Sequence, residues 1–432
     1  MFSEGYKRYV LAALTLVYTL NYLDRGLIIL LLQPIKEDLR LSDTQLGFVT
    51  GIAFALFYAT LGLPIARLAD RGNRVTITSI AIALWGVAVM LTLLVTNFVQ
   101  LVLARIAAAV GESGCTPPTY SLLGDYFPSP AERPRAMAVY WLASPFALLI
   151  SLMAGGWLNH LYGWRMTFFA MGIPGLLAAL LVKFTVAEPR SRTSQTGVPG
   201  RSLPRVTEVL TVLWHQRSSR NLSIAYILLL TMALGLAPWY AAFMIRSHGM
   251  STEDLGIWMG LIFGVAGAIG ILLGGYVGGS YLAHDERKQM RLTAASVAAL
   301  VPCYILFLLV PSKASALIAL MRLVAALGFF VGPTFALMQR LVPDSMRATT
   351  LAVVMLLANL IGMGLGPQVV GILSDWLMPV AQQDSLRYAM LVMSLVAFWA
   401  AYHYWLVGRT VQEDLSAVAR SSQFDEYVAV VP

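Results

Sequence analysis

The chain carries little charge for its length and few of the residues on which soluble enzymes depend. Only 12% of its 432 residues are Asp, Glu, Lys or Arg, whereas a soluble globular protein carries about 25%. It has two cysteines and five histidines, too few and too scattered for a disulfide framework or a metal-ligand spacing. No phosphate-binding glycine loop or nucleophile elbow is present in the sequence. With a mean hydropathy of +0.72, the composition indicates a polytopic membrane protein and argues against an enzyme or an ATP-driven machine.

Apolar runs long enough to cross a bilayer, which takes about 20 residues, recur along the chain. The first run has no small-residue cleavage site, so we predict a retained span, not a signal peptide. We therefore predict an all-α membrane protein with twelve transmembrane helices. The predicted spans are 7–33, 44–69, 75–95, 98–125, 135–159, 165–186, 221–245, 254–282, 291–310, 313–340, 347–376 and 386–408.

The excess of basic residues, a net charge of +8, indicates an orientation in the membrane, not a nucleic-acid partner. Of the 30 Lys and Arg residues, 21 fall on one side of the predicted spans and six on the other. By the positive-inside rule, both termini are predicted to be cytoplasmic. We accordingly expect an integral membrane protein of a bacterial cytoplasmic (inner) membrane.

The longest connector divides the spans into two sets of six. The domains predicted from it are an N-terminal bundle at 1–186, a cytoplasmic linker at 187–220, a C-terminal bundle at 221–410 and a cytoplasmic tail at 411–432. The end of the linker places apolar residues at helical spacing, which predicts an amphipathic helix on the membrane surface.

The two halves resemble each other around one arginine. Helix 4 reads A-R-I-A-A-A-V-G and helix 10 reads M-R-L-V-A-A-L-G, so Arg105 and Gly111 are six residues apart, as are Arg322 and Gly328. Two repeated six-helix halves are typical of alternating-access transporters, which bind their substrate near the midplane between the repeats. We predict two pseudo-symmetric bundles of this kind.

Two carboxylates, Asp24 and Glu112, lie well inside predicted spans, whereas the other 20 acidic residues lie in connectors, in tails or near span ends. An ionised group at the bilayer centre costs at least about 2.5 kcal/mol, so a retained one is expected to have a use. Counting residues from the helix ends places Asp24, Arg25 and Arg105 at one depth, with Glu112 deeper.

We therefore predict a cluster of these four side chains between helices 1 and 4. It is either a static ion-pair staple or a proton relay, in which a carboxylate beside an arginine titrates when the pair separates. We predict Asp24 and Glu112 as proton-coupling residues, with Glu112 the titrating group because Asp24 has Arg25 beside it. Arg25 and Arg105 are predicted to tune the two acids.

Arg322 is predicted to hold the substrate, because helix 10 offers it no acid; a backbone carbonyl or a distant acid is the alternative partner. The three intramembrane arginines cannot lose their charge, which favours an anionic substrate over a cationic drug.

The sequence also resembles a known family in its motifs. The stretch A-R-L-A-D-R-G-N-R at 66–74 is similar to the loop between helices 2 and 3 of the major facilitator superfamily, although Ala66 stands where glycine is usual. Its D-R-x-N-R form resembles the Spinster family of that superfamily. Similar too are N-Y-L-D-R at 21–25, G-E-S-G at 111–114, G-W-R-M-T-F-F at 163–169, A-E-P-R at 187–190 and N-L-I-G-M-G-L-G-P at 359–367.

This resemblance implies roles for further residues. Asp70, Arg71 and Arg74 would form a cytoplasmic gate, with Asp70 capping a neighbouring helix and helix 11 as the expected neighbour. A solvated turn with positive-inside charge is the alternative for these three. Asn21 of the N-Y-L-D-R motif is placed with the substrate and charge-tuning residues.

The resulting functional hypothesis is a proton-coupled transporter of an amphipathic organic anion. The Spinster resemblance implies a lysophospholipid or a sphingosine-1-phosphate-like lipid. The alternatives are symport of a small hydrophilic anion such as a sugar acid, hydrophobic drug efflux, or a membrane enzyme or receptor built on a helical bundle. We expect no cofactor beyond the proton gradient, no metal and no nucleic acid, with a monomer in the lipid bilayer.

Overall fold

The structure, a computed structural model, describes residues 2–129, 132–189, 206–276, 285–343 and 346–430, and these residues are helices joined by short turns without any strand. Their helices are α1 (Glu4–Asn21), α2 (Leu23–Leu39), α3 (Asp43–Thr50), α4 (Ile52–Arg71), α5 (Arg74–Leu91), α6 (Phe98–Ser113), α7 (Thr116–Tyr126), α8 (Glu132–Trp141), α9 (Ala143–Thr185), α10 (Val206–His215), α11 (Arg217–Leu236), α12 (Trp239–His248), α13 (Thr252–Leu261), α14 (Gly267–Tyr276), α15 (Glu286–Ala298), α16 (Leu300–Leu309), α17 (Lys313–Phe329), α18 (Val331–Arg340), α19 (Arg347–Ala381), α20 (Ser385–Ser394) and α21 (Val396–Val430).

Ten stretches of the described chain are long and apolar enough to cross a membrane. Two of them, of 54 and 69 residues, correspond to about 80 and 100 Å of helix against a hydrocarbon core of about 30 Å. Each is interrupted near its middle, the first at Gly163 with φ 77° and the second at the turn Gln382–Asp384. Each therefore holds two crossings, and the predicted total of twelve transmembrane helices is confirmed.

Polar residues in the connectors set where many of these helices begin. Ser42 forms a capping box with Gln45 at the start of α3. The side chains of Asn73 and Asn97 accept backbone N–H groups at the starts of α5 and α6, and Ser312 does so at α17. Such caps satisfy donors that a helix leaves free at its first turn. Short polar breaks in an apolar sequence thus define the crossings.

The described chain forms two compact units. The first contains α1–α9 together with residues 237–264 and 367–384, and the second contains the rest of α10 onward. The boundaries fall at irregular points of three helices. They are the gap between α11 and α12 before Pro238, the π-helical turn Ile262–Ala266, and the Gly366–Pro367 step inside α19. Three crossings therefore contribute residues to both units.

The first unit is packed through glycines next to the acidic side chains. A Cβ on Gly111 would lie 2.5 Å from the backbone nitrogen of Trp85, and one on Gly114 would lie 2.8 Å from the Cβ of Ala81. These two glycines let α6 and α7 approach α5 closely, as small residues do in membrane helices. Glu112, between them in the chain, is thereby directed away from α5.

The linker prediction can be followed only in part, because residues 190–205 lie outside the described chain. The helix predicted at its end is α10, on which Val209 and Leu213 are buried while Val206, Leu210 and Trp214 are exposed. The predicted tail differs in form: α21 continues through it to Val430, so the last crossing and the tail share one helix.

Candidate functional site

The centre of the first unit contains two ion pairs, and the first joins Asp24 to Arg105. Nη1 of Arg105 donates to Oδ2 of Asp24 at 2.6 Å, and both side chains are buried. Asp24 lies in the first turn of α2, directly after the break that separates α2 from α1 at Tyr22. The predicted juxtaposition of helices 1 and 4 is therefore present in the structure.

The second pair joins Arg25 to Glu112, near the end of α6. Nε of Arg25 donates to Oε1 of Glu112 at 2.8 Å, and Nη2 donates to the same oxygen. The pairing is thus crossed: each acid contacts an arginine of the other helix. The sequence had placed Arg25 beside Asp24, but successive residues of a helix point in different directions, and the two bind different partners.

The two pairs form one electrostatic cluster, which we call the charge cluster: Asp24, Arg25, Arg105 and Glu112. Glu112 interacts electrostatically with Asp24 and Arg105 as well as with Arg25. Two arginines and two carboxylates leave no net charge when both acids are ionised. Adding one proton makes the cluster cationic, because arginine keeps its charge.

Phe54 of α4 connects the pairs physically. Its ring centroid lies 5.2 Å from Cζ of Arg25 and 4.8 Å from Cζ of Arg105, and the ring is buried. Arg25 also lies over the rings of Tyr22 and Tyr58, at 4.4 and 5.2 Å. A guanidinium over an aromatic ring gains about 0.5–2 kcal/mol, so these rings hold both arginines in place beside their acids.

Each acid of the charge cluster uses one oxygen and leaves the other without a partner in the described chain. These free atoms are Oδ1 of Asp24 and Oε2 of Glu112; Nδ2 of the buried Asn21 and Nε of Arg105 are also unpartnered. A buried polar atom without a partner is costly. A static ion pair with every polar atom satisfied would leave no unpartnered oxygen, whereas a carboxylate that accepts a proton needs a free one.

A group of tyrosines next to Arg25 was missed by the sequence interpretation. Tyr18 stacks on Tyr140 with centroids 4.7 Å apart, Tyr22 lies 5.7 Å from Tyr18, and Tyr120 lies 5.7 Å from Tyr140. In a span, tyrosine alone is a common packing residue. The signal that could have identified two of them is spacing, because Tyr18, Tyr22 and Arg25 are four and three residues apart, on one helix face.

Arg322, predicted to hold the substrate, belongs to the second unit. Its side chain is exposed on α17 and has no ion-pair partner in the described chain. Its counterpart in the repeat, Arg105, is buried and paired. The guanidinium of Arg322 therefore has no ion-pair partner among the described residues, and Arg322 is not a member of the charge cluster.

The three residues predicted as a gate differ in their burial and contacts. Arg74 is fully buried, donates to Glu188 from Nε at 3.0 Å and from its backbone nitrogen at 2.7 Å, and pairs with Asp125 at 2.7 Å. Its neighbours are therefore the ends of helices 4 and 6. Arg71 is exposed, and the side chain of Asp70 lies outside what the structure describes.

The described residues contain no group of acids, histidines and cysteines that could hold a metal ion.

Comparisons with known proteins agree with this architecture. The family model of the Major Facilitator Superfamily matches residues 14–367. An MFS-type efflux pump of Mycolicibacterium smegmatis is 32% identical over 409 residues, covering 94% of each chain. A probable galactarate/D-glucarate transporter, GudP, of Bacillus subtilis is 26% identical over 62% of this chain and 64% of its own.

Among solved structures, a bacterial homologue of the human lysosomal transporter Spinster, in an inward-facing and unoccupied conformation, superimposes with a TM-score of 0.85. It is 29% identical, and the match covers 96% of this chain and 99% of that one. These relatives are transporters, not enzymes. The chain is therefore a member of the Major Facilitator Superfamily, a multi-pass membrane transporter similar to the Spinster proteins.

Proposed function

We propose that the chain is a proton-coupled transporter of an amphipathic organic anion, such as a lysophospholipid or a sphingosine-1-phosphate-like lipid, working by alternating access. The observation that carries the proposal is the charge cluster, in which Asp24 and Glu112 each pair through one oxygen and keep the other free. Charged groups at this depth are costly and mark ion or substrate paths. A free oxygen gives each acid a place to accept a proton.

Glu112 is the acid we assign to the coupling proton. Its partner Arg25 has a side chain that is 19% exposed, against 7% for Arg105. A proton on Oε2 of Glu112 removes the charge that holds Arg25, so the guanidinium becomes available to an anionic head group. Asp24 and Arg105 are more enclosed, and this pair keeps the helices aligned while the Arg25–Glu112 pair opens.

Loss of the proton reverses these events. Glu112 becomes ionised, competes with the bound anion for Arg25 and favours release. A ligand shifts a conformational equilibrium only through different affinities for the two states. In this mechanism the difference comes from whether Arg25 binds the substrate or Glu112. Arg322 is also assigned to binding the anion.

The lipid assignment is supported by the similarity to a Spinster homologue along nearly the whole chain. Symport of a sugar acid is the second candidate, and the tyrosines near Arg25 favour it, since their rings and hydroxyl groups suit a polyhydroxylated anion. The similarity to GudP covers less of the chain. Efflux of a hydrophobic drug is a third candidate, and the mycobacterial relative supports its direction, since that protein is named an MFS-type efflux pump.

The test is transport in proteoliposomes that contain the purified protein. A panel of lysophospholipids, sphingosine 1-phosphate, hexuronates and a cationic dye is offered with and without a pH gradient. The proposal expects gradient-dependent movement of the anionic lipids that Glu112→Gln abolishes. Transport of the sugar acids alone would refute the lipid assignment and favour sugar-acid symport. Transport of anions with no response to the pH gradient would refute proton coupling.

A further inference from the structure

A second charged cluster lies in the first unit, away from the charge cluster. It is centred on Asp43, the first residue of α3, whose side chain is fully buried. Arg246 of α12 donates to both of its oxygens at 2.7 Å, from Nη1 and Nη2. Lys36 of α2 and Ser374 of α19 complete its contacts, at 2.5 and 2.6 Å. We call Lys36, Asp43, Arg246, Ser374 and Asp375 the latch cluster.

The latch cluster also includes a backbone contact. Asp375 of α19 accepts the N–H groups of Asp43 and Thr44 at 3.0 and 2.7 Å. These are two of the donors that the start of α3 leaves free, and a carboxylate is favoured there by the helix dipole. Two kinds of contact thus join α3 and α19. The side chain of Asp43 accepts a hydrogen bond from Ser374, and the side chain of Asp375 accepts hydrogen bonds from the backbone of α3.

Glycines bring the same segments into direct backbone contact. A Cβ on Gly47 of α3 would lie 2.6 Å from the carbonyl oxygen of Pro367, and one on Gly371 would overlap the carbonyl oxygen of Asp43. Elsewhere in this unit, Gly156 of α9 and Gly256 of α13 each face the partner helix's backbone in the same way. The polar contacts of the latch cluster are therefore built on closely fitted surfaces.

The segments joined by the latch cluster come from both sequence repeats. Lys36 and Asp43 lie between the first two crossings, whereas Arg246 ends the seventh crossing and Ser374 lies in the eleventh. The seventh crossing is broken at Pro238, and the eleventh contains the Gly366–Pro367 step within a continuous α19. A helix break or an internal proline allows a segment to bend as a hinge.

We propose that the latch cluster closes one end of the transport path and that it opens and re-forms in every cycle. The basic-residue asymmetry predicts that this end is external. Arg246 is the part that separates, because Lys36 lies in the same N-terminal segment as Asp43 and can remain paired with it. Asp43 is then paired with a cation whether or not Arg246 is bound to it. Because its carboxylate is never left unpaired, Arg246 can leave and bind again. This inference is independent of which acid carries the proton.

The test uses a reporter cysteine at Val370, which is fully buried and lies on the same face of α19 as Ser374. The chain's two cysteines, Cys115 and Cys303, are first replaced by serine. A membrane-impermeant maleimide is added to the outside of right-side-out vesicles, and the labelling rate is measured. Conformational couplings of typical size correspond to about 5- to 150-fold changes in population, so Asp43→Asn should label at least about fivefold faster.

Two variants separate the latch from a general loss of packing. Arg246→Lys keeps the charge but loses the two-pronged contact, so its labelling rate should lie between those of the parent and Asp43→Asn. Asp38→Asn is the matched control, because this carboxylate is 42% exposed and pairs with Arg165; its rate should equal that of the parent.

The proposal is overturned if Asp43→Asn labels no faster than the parent, if Asp38→Asn accelerates labelling equally, or if the reagent reacts only from the cytoplasmic side. Should Asp43→Asn fail to fold, Ser374→Ala removes a single hydrogen bond to the carboxylate. A several-fold faster rate supports the latch, and an unchanged rate refutes it.

Discussion

Replacing Glu112 with glutamine tests the core of the proposed mechanism. Glutamine keeps the size and one acceptor oxygen, so both donors of Arg25 retain a partner. The guanidinium of Arg25 is charged in either case, so both hydrogen bonds keep a charged donor, but the attraction between the two opposite charges is lost. Because the acceptor oxygen remains, the loss of folding stability should be about 2 kcal/mol, less than that of removing the side chain. Glu112→Ala leaves Arg25 without its acid, and losses for such buried pairs are about 3–5 kcal/mol.

The functional consequence is larger than the structural one. In the parent protein, each proton that moves with the substrate down a gradient of one pH unit supports roughly tenfold accumulation. Because the glutamine variant cannot carry that proton, its accumulation ratio should fall to one. Exchange of labelled for unlabelled substrate, which needs no net proton movement, should persist. Both quantities are measured in the same proteoliposomes after thermal unfolding has shown that the variant is folded.

Asp38→Asn is the matched control for this experiment too. It removes an exposed carboxylate that pairs with Arg165, and it should leave accumulation unchanged. If Glu112→Gln still concentrates substrate to the parental ratio, Glu112 does not carry the coupling proton. If the double variant with Asp24→Asn also accumulates, neither acid of the charge cluster does, and the cluster is a static staple.

Substrate binding, helix packing and topology can each be tested by a single change. Arg322→Ala should weaken substrate binding at every pH, measured as Kd, because it removes an unpaired cation without altering a titrating group; unchanged affinity would exclude the contact. Gly111→Ala should lower folding stability by about 1–3 kcal/mol in thermal unfolding, since its Cβ would meet the backbone of Trp85. Cysteines replacing Arg205 and Lys313 should react with an impermeant reagent from opposite sides of the membrane, and reaction from one side would contradict the predicted orientation.

The fold could be predicted from the sequence because the membrane imposes a simple rule. A span needs about 20 apolar residues, and the charge asymmetry of the loops restricts how many spans there are. Glu112 and Asp24 could be found for the same reason: a carboxylate in an apolar run is conspicuous. Their depths, counted along helices 1 and 4, also brought the four charged residues together.

The pairing within the charge cluster could not be predicted, because residue depth says nothing about rotation around the helix axis. Arg25 adjoins Asp24 in the chain but binds Glu112. The latch cluster was missed for another reason. Asp43 and Arg246 are charged residues in connectors, where such residues are usually solvated, and only the fold buries them together. Their separation of about 200 positions leaves no local pattern.

The position of Phe54 has a consequence for how the two ion pairs behave. Both guanidinium groups lie against this one ring, so a displacement of Arg25 alters the surface against which Arg105 is held. The two acids therefore communicate through an apolar side chain as well as through charge. A leucine at this position would keep the side chain apolar yet offer no π face to either cation, and each ion pair would then respond to a proton independently of the other.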